Sequence, residues 1–189
     1  MTDLVVASAN KNKLREIQEI LPDYNIISLS DIGFFEDIVE DGDTFAENAL
    51  IKAKTACQFS GKPSLGDDSG LIVPSLDGAP GVLSARYSGV HGDDNANMDK
   101  LLKELEGKED RSAYFLCSMA LVYPNGKIIT VEGKTHGRIL KERTGSGGFG
   151  YDPIFFSEEL GESFGIASPE DKNKISHRGK ALAKLRKLL

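Results

Sequence analysis

The run Ala113-Tyr114-Phe115-Leu116-Cys117-Ser118-Met119-Ala120-Leu121-Val122-Tyr123 leads into Pro124-Asn125-Gly126 and then a second extended stretch, Lys127 to Gly137. The run is apolar at both odd and even positions. A strand with one wet face alternates apolar and polar residues, so this strand is covered on both faces and belongs in the middle of a sheet. Asn-Gly tolerates the positive φ angles of a tight hairpin, which makes Lys127 to Gly137 its antiparallel return. Leu4-Val5-Val6-Ala7 and Ile26-Ile27-Ser28-Leu29 are further short strand signals. Between them, Leu14, Ile17, Ile20 and Leu21 form one face of a helix that Pro22-Asp23 ends. Strand, helix and strand beside a hairpin imply an α/β fold with a mixed sheet.

The remaining elements follow from caps and breakers. Residues 33–43 read as an acidic loop. Thr44-Phe45-Ala46-Glu47 has the form of a capping box, and Phe45, Ala49, Leu50, Ala53 and Cys57 continue at helical spacing to Gly61-Lys62-Pro63. Leu71-Ile72-Val73 is strand, and 77–92 is a long loop. A third helix starts at Asp94 with Met98, Leu101, Leu102 and Leu105 inward. After the Gly-rich stretch 145–150 comes a short strand, Ile154-Phe155-Phe156. Ser168-Pro169 starts a short helix. Ser176-His177-Arg178-Gly179 opens the last one, with Ala181, Leu182, Leu185 and Leu188 inward.

A chain of 189 residues supports one sizeable core, or two lobes sharing a sheet, and is read as a single domain over 1–189. With 40% apolar and 28% charged residues it is neither disordered nor fibrous. No apolar run reaches membrane-spanning length, and Met1-Thr2-Asp3-Leu4 lacks a basic leader, so a cytoplasmic protein without a membrane partner is expected. A net charge of −6 argues against a nucleic-acid partner. Cys57 and Cys117 have neither CxxC spacing nor nearby histidines and read as reduced core thiols.

Four segments carry candidate chemistry. Ser8 to Lys13 is a strand-to-helix junction, where free N–H groups, the positive dipole end and Lys13 suit a phosphate; an ordinary cap by Asn10 is the plainer alternative. Asp67-Asp68-Ser69-Gly70 puts two acids beside apolar residues, a costly arrangement unless they are paired or metal-bound. On an extended chain they point to opposite faces, so one of them faces a site. With Glu40 and Asp41 they form an oxygen-only set that suits Mg²⁺; a β-turn at Asp67 to Gly70 and a solvated loop at Glu40-Asp41 are the plainer alternative. Gly145-Ser146-Gly147-Gly148-Phe149-Gly150 has the letters of a dinucleotide fingerprint, but an extended segment follows it instead of a helix, which rejects that reading. What is left is a loop that either presents Phe149 and Tyr151 to a planar base or is a tight turn whose aromatics enter the core. Ser176-His177-Arg178-Gly179 sets cations at a helix start, with Lys172 and Lys174 upstream, where an anionic or electron-rich ligand would favour them. His91 and His136 are isolated.

Taken together, Ser8-Ala9-Asn10-Lys11-Asn12-Lys13, Glu40-Asp41-Gly42, Thr44-Phe45, Glu47-Asn48-Ala49, Asp67-Asp68-Ser69-Gly70-Leu71, Gly78-Ala79-Pro80-Gly81, Ser84-Ala85-Arg86-Tyr87, Gly147 to Pro153 and Ile175 to Gly179 occur in order. The chain resembles the inosine triphosphate pyrophosphatase family, in its bacterial dITP/XTP branch. The resemblance implies an elongated mixed sheet with flanking helices, two lobes around a nucleotide cleft, and a homodimer. It implies Mg²⁺-dependent hydrolysis of 6-oxo purine nucleoside triphosphates (ITP, dITP, XTP) to the monophosphate and pyrophosphate. By motif, Ser8, Ala9, Asn10, Lys11, Asn12 and Lys13 would hold the triphosphate, and Glu40 and Asp68 the metal. Asp68 would also accept the proton, and Ser69 would touch substrate. Phe149, Gly150, Tyr151 and Asp152 would form the base pocket, closed by Lys172, His177 and Arg178. Ala9 stands where many relatives have Gly, which restricts the backbone there. A nucleotide sensor on the same framework would not need the Glu40 and Asp68 pair. The Phe149 to Asp152 and Ser176 to Arg178 segments speak against a Maf-type pyrophosphatase.

Overall fold

Seven strands pair into one mixed sheet in a computed structural model that describes residues 2–189. They are β1 (Thr2–Val6), β2 (Tyr24–Ser28), β3 (Ser64–Ile72), β4 (Ser112–Val122), β5 (Ile128–Ile139), β6 (Phe155–Ser157) and β7 (Glu162–Ser163). Their order is β2-β1-β3-β4-β5-β6-β7, so β4 takes the middle place implied by its two apolar faces. β1 is parallel to β2 and β3, whereas β6 is antiparallel to β5 and β7. Five helices complete the α/β fold: α1 (Lys11–Ile20), α2 (Phe45–Ser60), α3 (Asp94–Glu104), α4 (Pro169–Ile175) and α5 (His177–Arg186). Among the described residues no helix is long and apolar enough to cross a membrane.

The chain divides into two compact units. The first comprises 2–68, Cys117–Gly133 and Arg178–Leu189; the second comprises Ser69–Leu116 and Lys134–His177. Within the first unit, Met119 and Leu121 of β4 join Leu4, Val6, Leu65, Ile17 of α1 and Ala181, Leu182 and Leu185 of α5. Ala120 and Val122, on the other face of β4, pack on Ala49, Ala53 and Cys57 of α2. Within the second unit, Met98, Leu101 and Leu105 of α3 pack with Leu71, Ala113, Phe115, Ile139, Phe155 and Phe164. The Arg111 guanidinium fastens this unit by donating to the carbonyls of Leu105, Ile139 and Leu140.

The structure departs from the sequence reading in several places: Leu188, expected inward, is exposed beyond the end of α5, and the loop 77–92 contains a 3-10 helix over Gly81–Arg86. β3 starts at Ser64 and runs straight through Asp67 and Asp68, because both acids find cationic partners there. Asp152–Ile154, with Pro153 in its first turn, is a turn of 3-10 helix, which moves the following strand on to Phe155–Ser157. The two-residue β7 is too short to leave a periodic signal.

The capping box opens α2: Thr44 Oγ1 accepts from the Glu47 N–H, and Glu47 Oε2 accepts from the Thr44 and Asp43 N–H groups. α2 then lies unusually close to β3. A Cβ on Gly66 would run into the Ala49 carbonyl and come within 2.7 Å of the Ala53 nitrogen. Backbone cannot give way as a side chain can. Gly66→Ala is therefore expected to destabilise the fold by at least the ~1–3 kcal/mol of an overpacked core. Urea denaturation measures it, and an unchanged midpoint would contradict the packing described.

Candidate active site

Period-two alternation along β3 sends its neighbouring acids to opposite faces. Asp67 points toward α1 and α5. Its Oδ2 lies 3.0 Å from Lys13 Nζ and 3.2 Å from an Arg178 guanidinium nitrogen. Arg178 also donates to Glu16 at 2.5 Å. Asp67, Glu16 and Arg178 are all buried. Burial opposes the charge on Asp67, but Lys13, Arg178 and Lys52 outweigh it and hold the carboxyl well below the usual carboxylate range. Burial likewise opposes the charge on Arg178, and Asp67 and Glu16 more than restore it.

Asp68 points toward α2, the side that Gly66 leaves open. Asn48 Nδ2 donates to its Oδ2 at 3.1 Å, and Lys52 Nζ lies 3.4 Å from its Oδ1. The same ammonium is 2.9 Å from Glu40 Oε2. Burial pushes the Asp68 carboxyl up, and Lys52 and Lys13 only partly offset this. Burial also works against charge on Lys52, yet Asp68, Asp67 and Glu40 prevail and raise it above the ordinary lysine range. Glu40 and Asp68 thus already share one cation. That donor set, carboxylate oxygens without sulfur or nitrogen, fits a hard divalent ion such as Mg²⁺. Among the described residues no cluster of three or more His, Cys, Asp or Glu forms a ready cage, so most ligands of such an ion would come from phosphate and water.

At the start of α1, Asn10 is the cap: its Oδ1 accepts from the Asn12 and Lys13 N–H groups at 2.9 and 3.3 Å. Ser8 Oγ accepts from the Asn10 N–H. The plainer alternative, an Asn10 cap, is thus present and takes up two of the N–H groups, which leaves the dipole end and the Lys11 and Lys13 side chains as the charged elements. Ala9 is exposed and needs no left-handed backbone, since Asp77 is the sole described non-glycine residue with positive φ.

The second unit contains most of the expected base-side residues, whereas Arg178 falls in the first unit, buried against Glu16 and Asp67. Asp152 Oδ2 accepts from the Phe149 N–H at 2.9 Å and from Lys172 Nζ at 2.7 Å. The Lys172 ammonium lies 4.7 Å from the Phe149 ring centroid. Gly148, at φ 73°, passes so close that a Cβ there would strike the Asp152 carboxylate. Tyr151 is buried and donates to the Ser84 carbonyl, which makes it a prop beneath the loop. His177 is buried with its ring stacked on Phe115 at 4.7 Å. Ser69 follows Asp68 in β3 and is half-buried.

Sequence reasoning missed Lys52, Asn48 and Glu16. Asn48 and Lys52 sit one turn apart on α2 beside the apolar Ala49 and Ala53, and polar residues on that stripe were the available signal. Glu16 sits beside Ile17 on the inward face of α1.

A family model described as the Ham1 family matches residues 4–188, a span that contains every segment discussed above. The chain belongs to the Ham1 family. A dITP/XTP pyrophosphatase of Geobacter sulfurreducens is 53% identical over 98% of this chain and 96% of its own. One from Desulfotalea psychrophila is 50% identical over 97% of this chain and 83% of its own. The solved structure of a HAM1 protein from Coxiella burnetii is similar at a TM-score of 0.90 and 42% identity, covering 100% of this chain and 98% of that one.

Removing Arg178 would leave two buried carboxylates without their shared counter-charge. Arg178→Ala is expected to lower stability by about 3–5 kcal/mol, the usual result of breaking a buried ion pair from one side. Chemical denaturation of the purified variant measures the loss. A change below ~1 kcal/mol would place the pair among weak surface bridges.

Proposed function

We propose that this Ham1-family chain hydrolyses the 6-oxo purine nucleoside triphosphates ITP, dITP and XTP to the monophosphate and pyrophosphate with Mg²⁺, as a cytoplasmic homodimer. The observation that carries the proposal is the convergence of Glu40 and Asp68 on one cation position in a chain similar over nearly its full length to dITP/XTP pyrophosphatases.

Glu40 and Asp68 would hold the metal, which when bound neutralises charge on the phosphates. The chain's own groups do the rest. Asp68, lifted by burial, accepts the proton of the water that attacks the α-phosphorus. Asn48 and Lys52 keep its oxygens aimed. Ser8, Ala9, Asn10, Lys11, Asn12 and Lys13 cradle the triphosphate at the α1 dipole end, and Lys13 adds a point charge against the leaving pyrophosphate. Asp67 and Arg178 fix Lys13 from behind. In this reading Ser69 touches the sugar-phosphate side, and Phe149 gives the base a stacking face. Gly150, Tyr151, Asp152, Lys172 and His177 set that ring and the base edge. Donors toward the 6-oxo acceptor would face the 6-amino donor of adenine, a mismatch that hydrogen-bonding sites reject by ~10⁴–10⁵.

Pyrophosphate release from ITP, XTP, GTP and ATP with Mg²⁺ tests the assignment. ITP and XTP are expected to exceed ATP by orders of magnitude, and equal kcat/KM for ATP and ITP would overturn it. Asp68→Asn should cost ~10²–10⁴ in kcat while circular dichroism stays unchanged. Near-normal turnover in that variant would remove Asp68 from the chemistry.

A further inference from the structure

The Gly-rich loop is pinned to the rest of its unit by a residue outside every motif quoted above. Asp94, in the first turn of α3, accepts from the Gly150 N–H through Oδ2 at 2.8 Å. The preceding N–H, that of Phe149, goes to Asp152. These two N–H groups belong to the peptide planes on either side of the Phe149 Cα. Fixing both planes fixes the Cα–Cβ direction, and the Lys172 ammonium 4.7 Å from the ring centroid bears on the ring itself. The loop needs such pins, because Gly145, Gly148 and Gly150 all have positive φ and glycine backbone holds no shape of its own.

The two pins differ in kind. Asp152 lies three residues from Phe149, so its bond shapes the turn locally, and its carboxylate is held in turn by Lys172 of α4. Asp94 lies 56 residues away from Gly150, on a helix whose Met98 and Leu101 are locked in the core of the second unit. Asp94 thus refers the turn to α3, as Asp152 refers it to α4 through Lys172. α3 also meets the other end of the loop, where Arg143 donates to the Asn95 carbonyl and to Asp99. A carboxylate in a first helical turn has a plainer use, favourable interaction with the helix dipole, but that use needs charge and not an acceptor aimed at one amide.

We infer that Asp94 is a positioning residue for the purine base, holding Phe149 in its stacking orientation through the Gly150 N–H. The inference rests on the function proposed above. Because the base-side and phosphate-side residues fall in different units, it concerns binding of the base and not the reaction at phosphorus.

The test compares Asp94→Ala and Asp94→Asn with wild type. Asparagine keeps an acceptor oxygen and loses the charge. Asp94→Ala should raise KM for ITP by roughly 5- to 100-fold, the range spanned by loss of one base–aromatic stacking contact, with kcat and inhibition by pyrophosphate little changed. Asp94→Asn should stay near wild type. Unchanged KM in Asp94→Ala, parallel loss of pyrophosphate inhibition, or an Asn variant as weak as Ala would each overturn the role. Amide hydrogen exchange reads the same bond without substrate: the Gly150 amide should be protected in wild type and in Asp94→Asn. An unprotected Gly150 amide in the wild type would overturn the inference even if Asp94→Ala failed to fold. Should wild type release no pyrophosphate from ITP, the proposed function fails instead, and a protected amide would leave the pin standing.

Discussion

The first unit depends on the alternation of side chains at Leu65, Gly66, Asp67 and Asp68 in β3. Odd positions face α1 and α5, and even positions face α2. The apolar pair of positions obeys this rule for packing. Leu65 enters the core, and Gly66 removes its side chain so that a helix backbone can come down onto the strand. The acidic pair obeys it for charge. Each carboxylate is delivered to a different helix, and each meets cations placed there to receive it. A one-residue slip of register would exchange the two faces, driving Leu65 into α2 and leaving both acids among the wrong partners.

The two carboxylates consequently behave as different chemical groups, although they are sequence neighbours. Asp67 is surrounded by positive charge and kept ionised. It is a fixed anion, suited to holding Lys13 and Arg178. Asp68 is lifted by burial and shares Lys52 with Glu40. Pushing two carboxyl groups in opposite directions is how a site separates a structural charge from a group able to take a proton.

Much of the fold could be read from the chain. The two-faced apolar run of β4, the Asn-Gly hairpin and the Thr44 capping box are local signals, and each corresponds to an element of the structure. The limits of β3 were not legible, because a strand through two acids is reasonable only when their partners are known. Those partners are remote: Lys52 is 16 residues before Asp68, and Arg178 is 111 after Asp67. The candidate site was legible where backbone and side chain act together in a short motif, as at Ser8 to Lys13. It was illegible where a helix supplies one polar side chain to an apolar stripe, as with Asn48, Lys52 and Glu16. In sequence such residues look like solvated surface, and only packing reveals that they are enclosed.

The segmentation of the chain has a consequence for the order in which the protein can be made. The first unit begins at the start of the chain but is finished by Arg178–Leu189. On a ribosome, α1, α2 and β3 emerge long before α5. Until the last dozen residues are released, Asp67 and Glu16 lack the guanidinium that joins them, and the face of β4 carrying Met119 and Leu121 lacks Ala181, Leu182 and Leu185. A chain lacking Arg178–Leu189 therefore lacks both the guanidinium and the α5 face that complete the first unit.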